Sequence, residues 1–248
     1  MKRFKLTVAY DGTAYCGYQY QPELPTIEGF VNDALSGLLR EDIITIGASR
    51  TDAGVHSYGN VAVFDSDTTI PAEKLAPALN TKLPDSIRIM DSIEVTSLFH
   101  PRRNVIDKTY EYHINTARIP FPTDRLYSHN VKHTLDIEAM KRAASFIEGR
   151  HDFTSFCSAK TDKEDKVRTV FQIDVEETVR NGLIIRVRGD GFLYNMVRII
   201  AGTLVKVGEG KIKPEDIPAI IERKDRGHLG TTLPAKGLFL MGIKYKEE

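Results

Sequence analysis

Three polar side chains of different chemistry, Arg50, Asp52 and His56, lie within the seven-residue segment RTDAGVH. An aspartate before a small residue and a glycine commonly forms a surface turn. Here, however, Arg50 is close enough along a tight loop to hold that carboxylate ionised, or to contact a phosphate or a base. The flanking segments are apolar and alternate like strands, and rigid strands fix the groups of the loop between them. The spacing therefore makes Asp52 a candidate catalytic carboxylate.

A second charged group, Arg198, lies within the apolar segment FLYNMVRIIAGTLVKVG. Apolar residues recur on nearly all sides of the helix that this segment predicts, so we expect the helix to be buried, with Arg198 in its middle. A guanidinium there is costly unless it is paired, so it needs a carboxylate partner or an opening to a cleft. It either tethers two elements or, if its partner is Asp52, keeps that carboxylate ionised.

A third segment, HPRRNVIDKTYEYHIN, leads from basic residues that include Arg102 into a predicted strand. Tyr110 and Tyr112 share one face of this strand, because side chains alternate along it. Tyrosines in strands are commonly half-buried packing residues. An extruded nucleic-acid base, however, also needs neutralised phosphates and a ring for stacking.

Alternating strands and helices must position these residues. Period-2 patterns predict strands over residues 3–10, 43–49, 58–65, 86–95, 108–115, 167–179, 183–189 and 237–245. Helical spacing predicts helices over residues 26–40, 71–83, 136–149 and 192–208, with Thr26 and Asp136 as N-caps. Arg180 and Asn181-Gly182 predict a hairpin. We therefore expect an α+β fold with two domains, residues 1–105 and residues 106–248.

Composition narrows the class of protein. The 248 residues are 41% hydrophobic and 27% charged, which suits a soluble, well-cored protein. The 34 basic and 34 acidic residues give a net charge of zero, which argues against indiscriminate polyanion binding but leaves room for local patches. Because no apolar run could span a bilayer and no signal peptide precedes the first strand, we expect a cytoplasmic protein with no membrane contact. Cys16 and Cys157 form no CxxC pair, and we expect no metal and no cofactor.

RTDAGVH, followed by a strand with phenylalanine near its end, resembles the active-site signature of the tRNA pseudouridine synthase A family. Matching segments follow in order along nearly the whole chain: YDGTAYCGYQYQP, FHPRRN, KTYEYHI, HDFTSF, FLYNMVRIIAGTL and GLFLMGIKY. The sequence departs from the family pattern at Ser49, Tyr18 and Tyr20, where a glycine, a tryptophan and a basic residue are common.

The resemblance implies the pseudouridine synthase fold: two domains, each with antiparallel strands and helices, that form a large mixed sheet with a central basic cleft. It also implies a homodimer that converts uridines 38, 39 and 40 in the anticodon stem-loop of tRNA to pseudouridine. This reaction breaks the N1–C1′ bond, turns the uracil over and rejoins it through C5, and it needs no metal or cofactor.

Roles for individual residues also follow from the resemblance. Asp52 is expected to be the essential residue, which either attacks C1′ or acts as a base on the sugar. Tyr110 is expected to stack on the target base and assist proton removal at C5, and Arg198 to pair with Asp52. The implied substrate-binding residues are Arg50, which fills the place of the displaced nucleotide, Tyr110, Leu238 in the uracil pocket, Arg102, and His56, which otherwise only closes the loop.

Two other functions remain open at this point. The scaffold could serve an RNA-binding or RNA-folding protein without turnover. The combination of Asp52, Tyr110 and Arg198 argues against this, because binding alone does not need a carboxylate facing a polyanion. A nucleobase deaminase is disfavoured because the HxE and PCxxC zinc pattern is absent from the sequence.

Overall fold

The computed structural model describes residues 1–159, 161, 164–228 and 231–246. The chain forms two compact units: unit 1 comprises Met1–Ile106 and Phe239–Glu248, and unit 2 comprises Asp107–Leu238. The predicted division into residues 1–105 and 106–248 stays a prediction, and Phe239–Glu248 group with unit 1. No helix in the described ranges has the length and apolar character needed to cross a membrane.

Unit 1 is a mixed sheet covered by two helices. Its strands are β1 (Lys2–Tyr10), β2 (Ile46–Gly47), β3 (His56–Ser66), β4 (Ile87–Val95) and β10 (Leu238–Tyr245), and its helices are α1 (Ile27–Leu39) and α2 (Ala72–Asn80). The strand order is β4-β1-β3-β10. β1 is antiparallel to β3 and β4, β10 is parallel to β3, and β2 is antiparallel to β3.

The period-2 pattern of β1 determines which face of this sheet is covered. Phe4, Leu6, Val8 and Tyr10 are all buried, and they share one core with apolar residues of α1 and α2. Burial of this apolar surface is the main favourable contribution to folding. α1 begins after Thr26, whose side chain accepts from the Gly29 N–H, as predicted. The strand predicted over residues 43–49 is shorter, because only Ile46–Gly47 pairs with β3.

Unit 2 also combines a mixed sheet with helices. Its strands are β5 (Val105–Asn115), β6 (His129–Asn130), β7 (Gly149–Asp152), β8 (Val167–Thr178) and β9 (Gly182–Gly189), and its helices are α3 (Ile137–Ile147), α4 (Met196–Gly208) and α5 (Ile217–Arg223). The strand order is β5-β9-β8-β7, and β6 is parallel to β5. The predicted α+β class is confirmed.

Local sequence explains most element boundaries in unit 2, with one exception. Asp136 caps α3 by accepting from the Ala139 N–H, and the β8–β9 hairpin turns through Arg180 and Asn181, both at positive φ. The prediction that a helix begins at residue 192 is wrong. Asn195 adopts a left-handed conformation (φ 62°), so α4 begins only at Met196.

Candidate active site

The loop that carries Asp52 joins β2 to β3 in unit 1. Asp52 is half-buried, and its carbonyl accepts a hydrogen bond from the Val55 N–H at 3.1 Å. Gly54, at φ 79°, adopts the left-handed conformation that this tight turn requires. The loop is therefore a closed turn between two strands, as the spacing of RTDAGVH predicts.

Asn60, in β3, clamps the start of this loop. Its side chain is fully buried; its Nδ2 donates to the Ser49 carbonyl at 2.9 Å, and its Oδ1 accepts from the Ser49 N–H at 3.2 Å. On the other side of Arg50, the Thr51 hydroxyl lies 2.7 Å from the Tyr10 hydroxyl. Satisfied buried polar networks of this kind hold a single geometry. No motif in the sequence marks Asn60, and its one local signal is an asparagine within the apolar run of a strand.

The segment after β1 supports the other end of the loop. A Cβ on Gly12 would lie 2.0 Å from the Val55 carbonyl oxygen, so the two backbones pack closer than any other residue would allow. The Tyr18 N–H donates to the Thr51 carbonyl at 3.0 Å. The segment YDGTAYCGY therefore supports the RTDAGVH loop, although the two segments lie far apart in the chain.

Tyr18 is buried beside the same loop. Its ring centre lies 6.1 Å from that of Tyr10. Within the described residues its hydroxyl has no hydrogen-bond partner, and burial raises the pKa of this hydroxyl well above its ordinary value. Tyr18 therefore supports the loop through the packing of its ring and not through a hydrogen bond of its hydroxyl.

His56 points into unit 1 and is only 2% exposed. Its Nδ1 accepts from the Gly12 N–H at 3.2 Å and lies 3.1 Å from Asp11 Oδ1. Its ring stacks on Phe239, with the centres 4.7 Å apart. These contacts tie His56 to the segment before the loop, and its contact with RNA stays a prediction.

Two arginines concentrate positive charge at the start of the loop. Arg50 and Arg102 are both exposed, and Arg102 Nε donates to the Gly47 carbonyl at 2.8 Å. Burial and then the charge of Arg50 lower the pKa of Arg102 below its ordinary value, while Glu28 opposes the shift. Two guanidinium groups that repel each other at an exposed site suit a polyanionic ligand.

Tyr110 lies in β5 of unit 2 and is 9% exposed. Its ring meets Phe192 edge to face, with the centres 5.3 Å apart and the planes at 87°. Such contacts restrict the orientation of both rings. Phe192 was predicted as part of a helix, but it instead lies in an irregular segment before α4, where it packs against Tyr110.

Arg198 lies in the first turn of α4, not in the middle of a helix as predicted. Its Nε donates to the Leu233 carbonyl and its Nη1 to Asn195 Oδ1, both at 2.7 Å. The next carbonyl along the chain, that of Pro234, accepts from the buried Tyr112 hydroxyl at 2.8 Å. These contacts fix the plane of the guanidinium within unit 2. The pairing of Arg198 with Asp52, which lies in unit 1, stays a prediction.

Leu238 is the first residue of β10 and is buried, as expected for an apolar strand residue. Its predicted place in a uracil pocket stays a prediction. Among the described residues, no three His, Cys, Asp or Glu side chains are grouped so that they could hold a metal ion.

Comparisons with known proteins identify the class of protein to which this chain belongs. A family model described as tRNA pseudouridine synthase matches residues 6–102 and 143–246. A relative from Brevibacillus brevis, named tRNA pseudouridine synthase A, is 46% identical over 245 residues, which cover 99% of this chain and 100% of the relative. A protein of the same name from Bacillus subtilis is 42% identical, with 98% of this chain and 99% of the relative covered.

A solved structure, "Crystal Structure of a Cbf5-Nop10-Gar1 Complex", aligns with a TM-score of 0.35 and 13% identity, covering 81% of this chain. This chain spans about half of the aligned chain in that complex (54%).

The family model and the relatives from Brevibacillus brevis and Bacillus subtilis define the chain as a pseudouridine-forming isomerase. It belongs to the tRNA pseudouridine synthase A family.

Proposed function

We propose that this chain isomerises uridines 38, 39 and 40 in the anticodon stem-loop of tRNA, with Asp52 acting at C1′ of an extruded nucleotide. The observation that carries the proposal is the Asp52 loop, which is held on both sides of exposed Arg50 by Asn60 and Tyr10. A carboxylate on a rigid loop beside the exposed charge of Arg50 suits a reaction on one sugar of a polyanion.

The chemistry needs a fixed carboxylate. C1′ acquires positive character as uracil leaves, and a carboxylate either stabilises that charge or traps it covalently, as in retaining glycosidases. Asp52 acts in one of these ways or as a base on the sugar. The N1–C1′ bond breaks, the C5–C1′ bond forms, the proton on C5 leaves, and N1 takes up a proton in its place.

The other predicted residues complete this scheme. Tyr110, whose ring is restrained by Phe192, stacks on the uracil and assists removal of the C5 proton. Arg198, whose guanidinium plane is fixed by Leu233 and Asn195, pairs with Asp52 and keeps it ionised. Leu238 lines the uracil pocket.

Arg50 promotes extrusion of the target nucleotide. A stacked uridine hides both bonds that must change, and unstacking it takes a few kcal/mol. A planar guanidinium can stack in the vacated position and bond to phosphate at once, which a lysine does poorly. Arg102 adds a second charge for the RNA backbone. The enzyme acts in the cytoplasm as a homodimer, whose shared loading of tRNA offsets the zero net charge of the chain.

The test is release of tritium from C5-labelled uridine in tRNA by the wild type, by Asp52→Ala and by Asp91→Ala, an exposed carboxylate on β4, as a matched control. We expect release by the wild type and the control only. Substrates that retain a single uridine at position 38, 39 or 40 then test the site. Equal release by Asp52→Ala would refute the role of Asp52. A wild type that binds tRNA without any release would favour an RNA-binding protein without turnover.

A further inference from the structure

A surface pocket of about 560 Å³ in unit 1 is lined in part by Lys5, Phe99, Tyr245 and Lys246, and we refer to it as the Lys5 pocket. Lys5 follows Phe4 in β1, so its side chain leaves the sheet on the face opposite the α1 and α2 core. Lys5 Nζ lies 5.6 Å from the ring centre of Phe99 and 5.7 Å from that of Tyr245. Two aromatic rings therefore hold this ammonium group at the pocket.

The positive charge of Lys5 is not neutralised by any carboxylate in the described ranges. Arg3, on the same face of β1, is paired with Asp65 through two contacts of 2.6–2.7 Å. The carboxylate of Glu94, which also lines the pocket, pairs instead with Lys2 at 3.1 Å. Across the residues that the structure describes, no carboxylate forms an ion pair with Lys5. Cation–π contacts attract a cation without neutralising it, so the charge of Lys5 remains available to an anion.

Lys246 supplies a second ammonium group at the same pocket. Its side chain is exposed, and its backbone N–H donates to the Asn104 carbonyl at 3.1 Å. This hydrogen bond joins the end of β10 to the segment that contains Arg102 and Arg103. Two lysines at one pocket, where the lining residue Glu94 is already paired with Lys2, suit the binding of an anion.

The positive charge continues from this pocket towards the Asp52 loop. Phe99 is followed by His100, whose pKa is lowered below its ordinary value by burial and then by the charges of Arg103 and Arg102. Arg102 in turn donates to Gly47 and interacts electrostatically with Arg50. All of these groups belong to unit 1, so a strip of neighbouring residues that includes Arg103, Arg102 and Arg50 leads from the Lys5 pocket to the candidate catalytic loop.

We propose that the Lys5 pocket binds a backbone phosphate of the tRNA strand beyond the target uridine, with Lys5 and Lys246 as the donors. The inference rests on the proposed function, because it takes tRNA as the ligand. The strip then contacts the tRNA strand at two places. One is Arg50, at the site of extrusion, and the other is the Lys5 pocket, further along the RNA. Because the rings of Phe99 and Tyr245 already restrict Lys5, little side-chain entropy is lost when the phosphate binds.

The test measures tRNA affinity as a function of salt concentration for Lys5→Met/Lys246→Met, in an Asp52→Ala background so that turnover plays no part. Methionine keeps the length of the side chain and packs well on aromatic rings, so the variant is expected to fold. Each phosphate neutralised by a protein contributes about 0.7–0.9 to the slope of log K against log salt. We expect the slope to fall by that amount. Lys5→Arg alone should retain the wild-type slope.

The matched control is Lys74→Met/Lys82→Met, which removes two exposed lysines at α2, on the helical side of the same unit. It changes net charge equally and should leave the slope unchanged. An equal fall in the control, or an unchanged slope in the Lys5/Lys246 variant, would overturn the inference. Failure of the proposed function is distinct, because it would appear as absence of tRNA binding or of tritium release in the wild type.

Discussion

The amide of Asn60 is expected to determine where Asp52 stands, and Asn60→Ala tests this directly. The substitution leaves the Ser49 N–H and carbonyl without the partners that now lie at 3.2 and 2.9 Å. Ser49 is only 4% exposed, so water cannot easily replace them. Each hydrogen bond contributes about 0.5–1.5 kcal/mol net, so loss of the two bonds should lower the free energy of unfolding by about 1–3 kcal/mol.

Loss of the clamp should also reduce turnover, because Ser49 immediately precedes Arg50 and lies three residues before Asp52. A misplacement of about 1 Å at a reacting group can lower a rate by about 100-fold. We therefore expect kcat for pseudouridine formation to fall by about 10- to 100-fold, measured by tritium release at a temperature where the variant is still folded. Denaturant unfolding of the same preparation gives the change in stability.

Asn80→Ala provides a control of the same chemistry. Asn80 clamps Ile89 in β4 just as Asn60 clamps Ser49: its Nδ2 donates to the Ile89 carbonyl and its Oδ1 accepts from the Ile89 N–H, both at 2.8 Å. Its loss should destabilise unit 1 without displacing the loop. If Asn80→Ala reduced kcat as much as Asn60→Ala, or if Asn60→Ala kept full turnover, the positioning argument would be refuted.

Three further substitutions test the site. Arg198→Leu should lower kcat by about 100-fold with little change in tRNA Kd, because removal of a fixed donor from an active site has an effect of this size in other enzymes. A loss confined to affinity would mean that Arg198 contacts RNA instead. Arg50→Ala should lower turnover by about 10-fold or more while tRNA still binds, because extrusion takes a few kcal/mol, and an unchanged single-turnover rate would exclude that role. Tyr18→Phe should raise the free energy of unfolding by about 1 kcal/mol, because it removes a buried hydroxyl without a partner; a decrease in denaturant unfolding experiments would show that this hydroxyl is stabilising.

Features that depend on neighbours in sequence were predictable. The buried face of β1 followed from its period-2 pattern, and the caps of α1 and α3 followed from Thr26 and Asp136. The hairpin at Arg180 and Asn181 followed from local turn preferences. The start of α4 was not predictable in the same way. Phe192 and Leu193 lie in an irregular segment before the helix, and Phe192 packs against Tyr110, which is distant in the chain.

The sequence by itself determined the chemistry that the Asp52 loop offers, since the residue types and spacing of RTDAGVH are local. Only the tertiary structure decided what holds that chemistry in place: the amide of Asn60, the close approach of Gly12, and β10, which pairs with β3 although the two strands lie far apart in the chain. It also decided that Arg198 donates to Leu233, and that Lys5 lies between two aromatic rings. The physical reason is that local patterns specify the conformation of each segment, whereas contacts between distant segments depend on how their buried faces pack together.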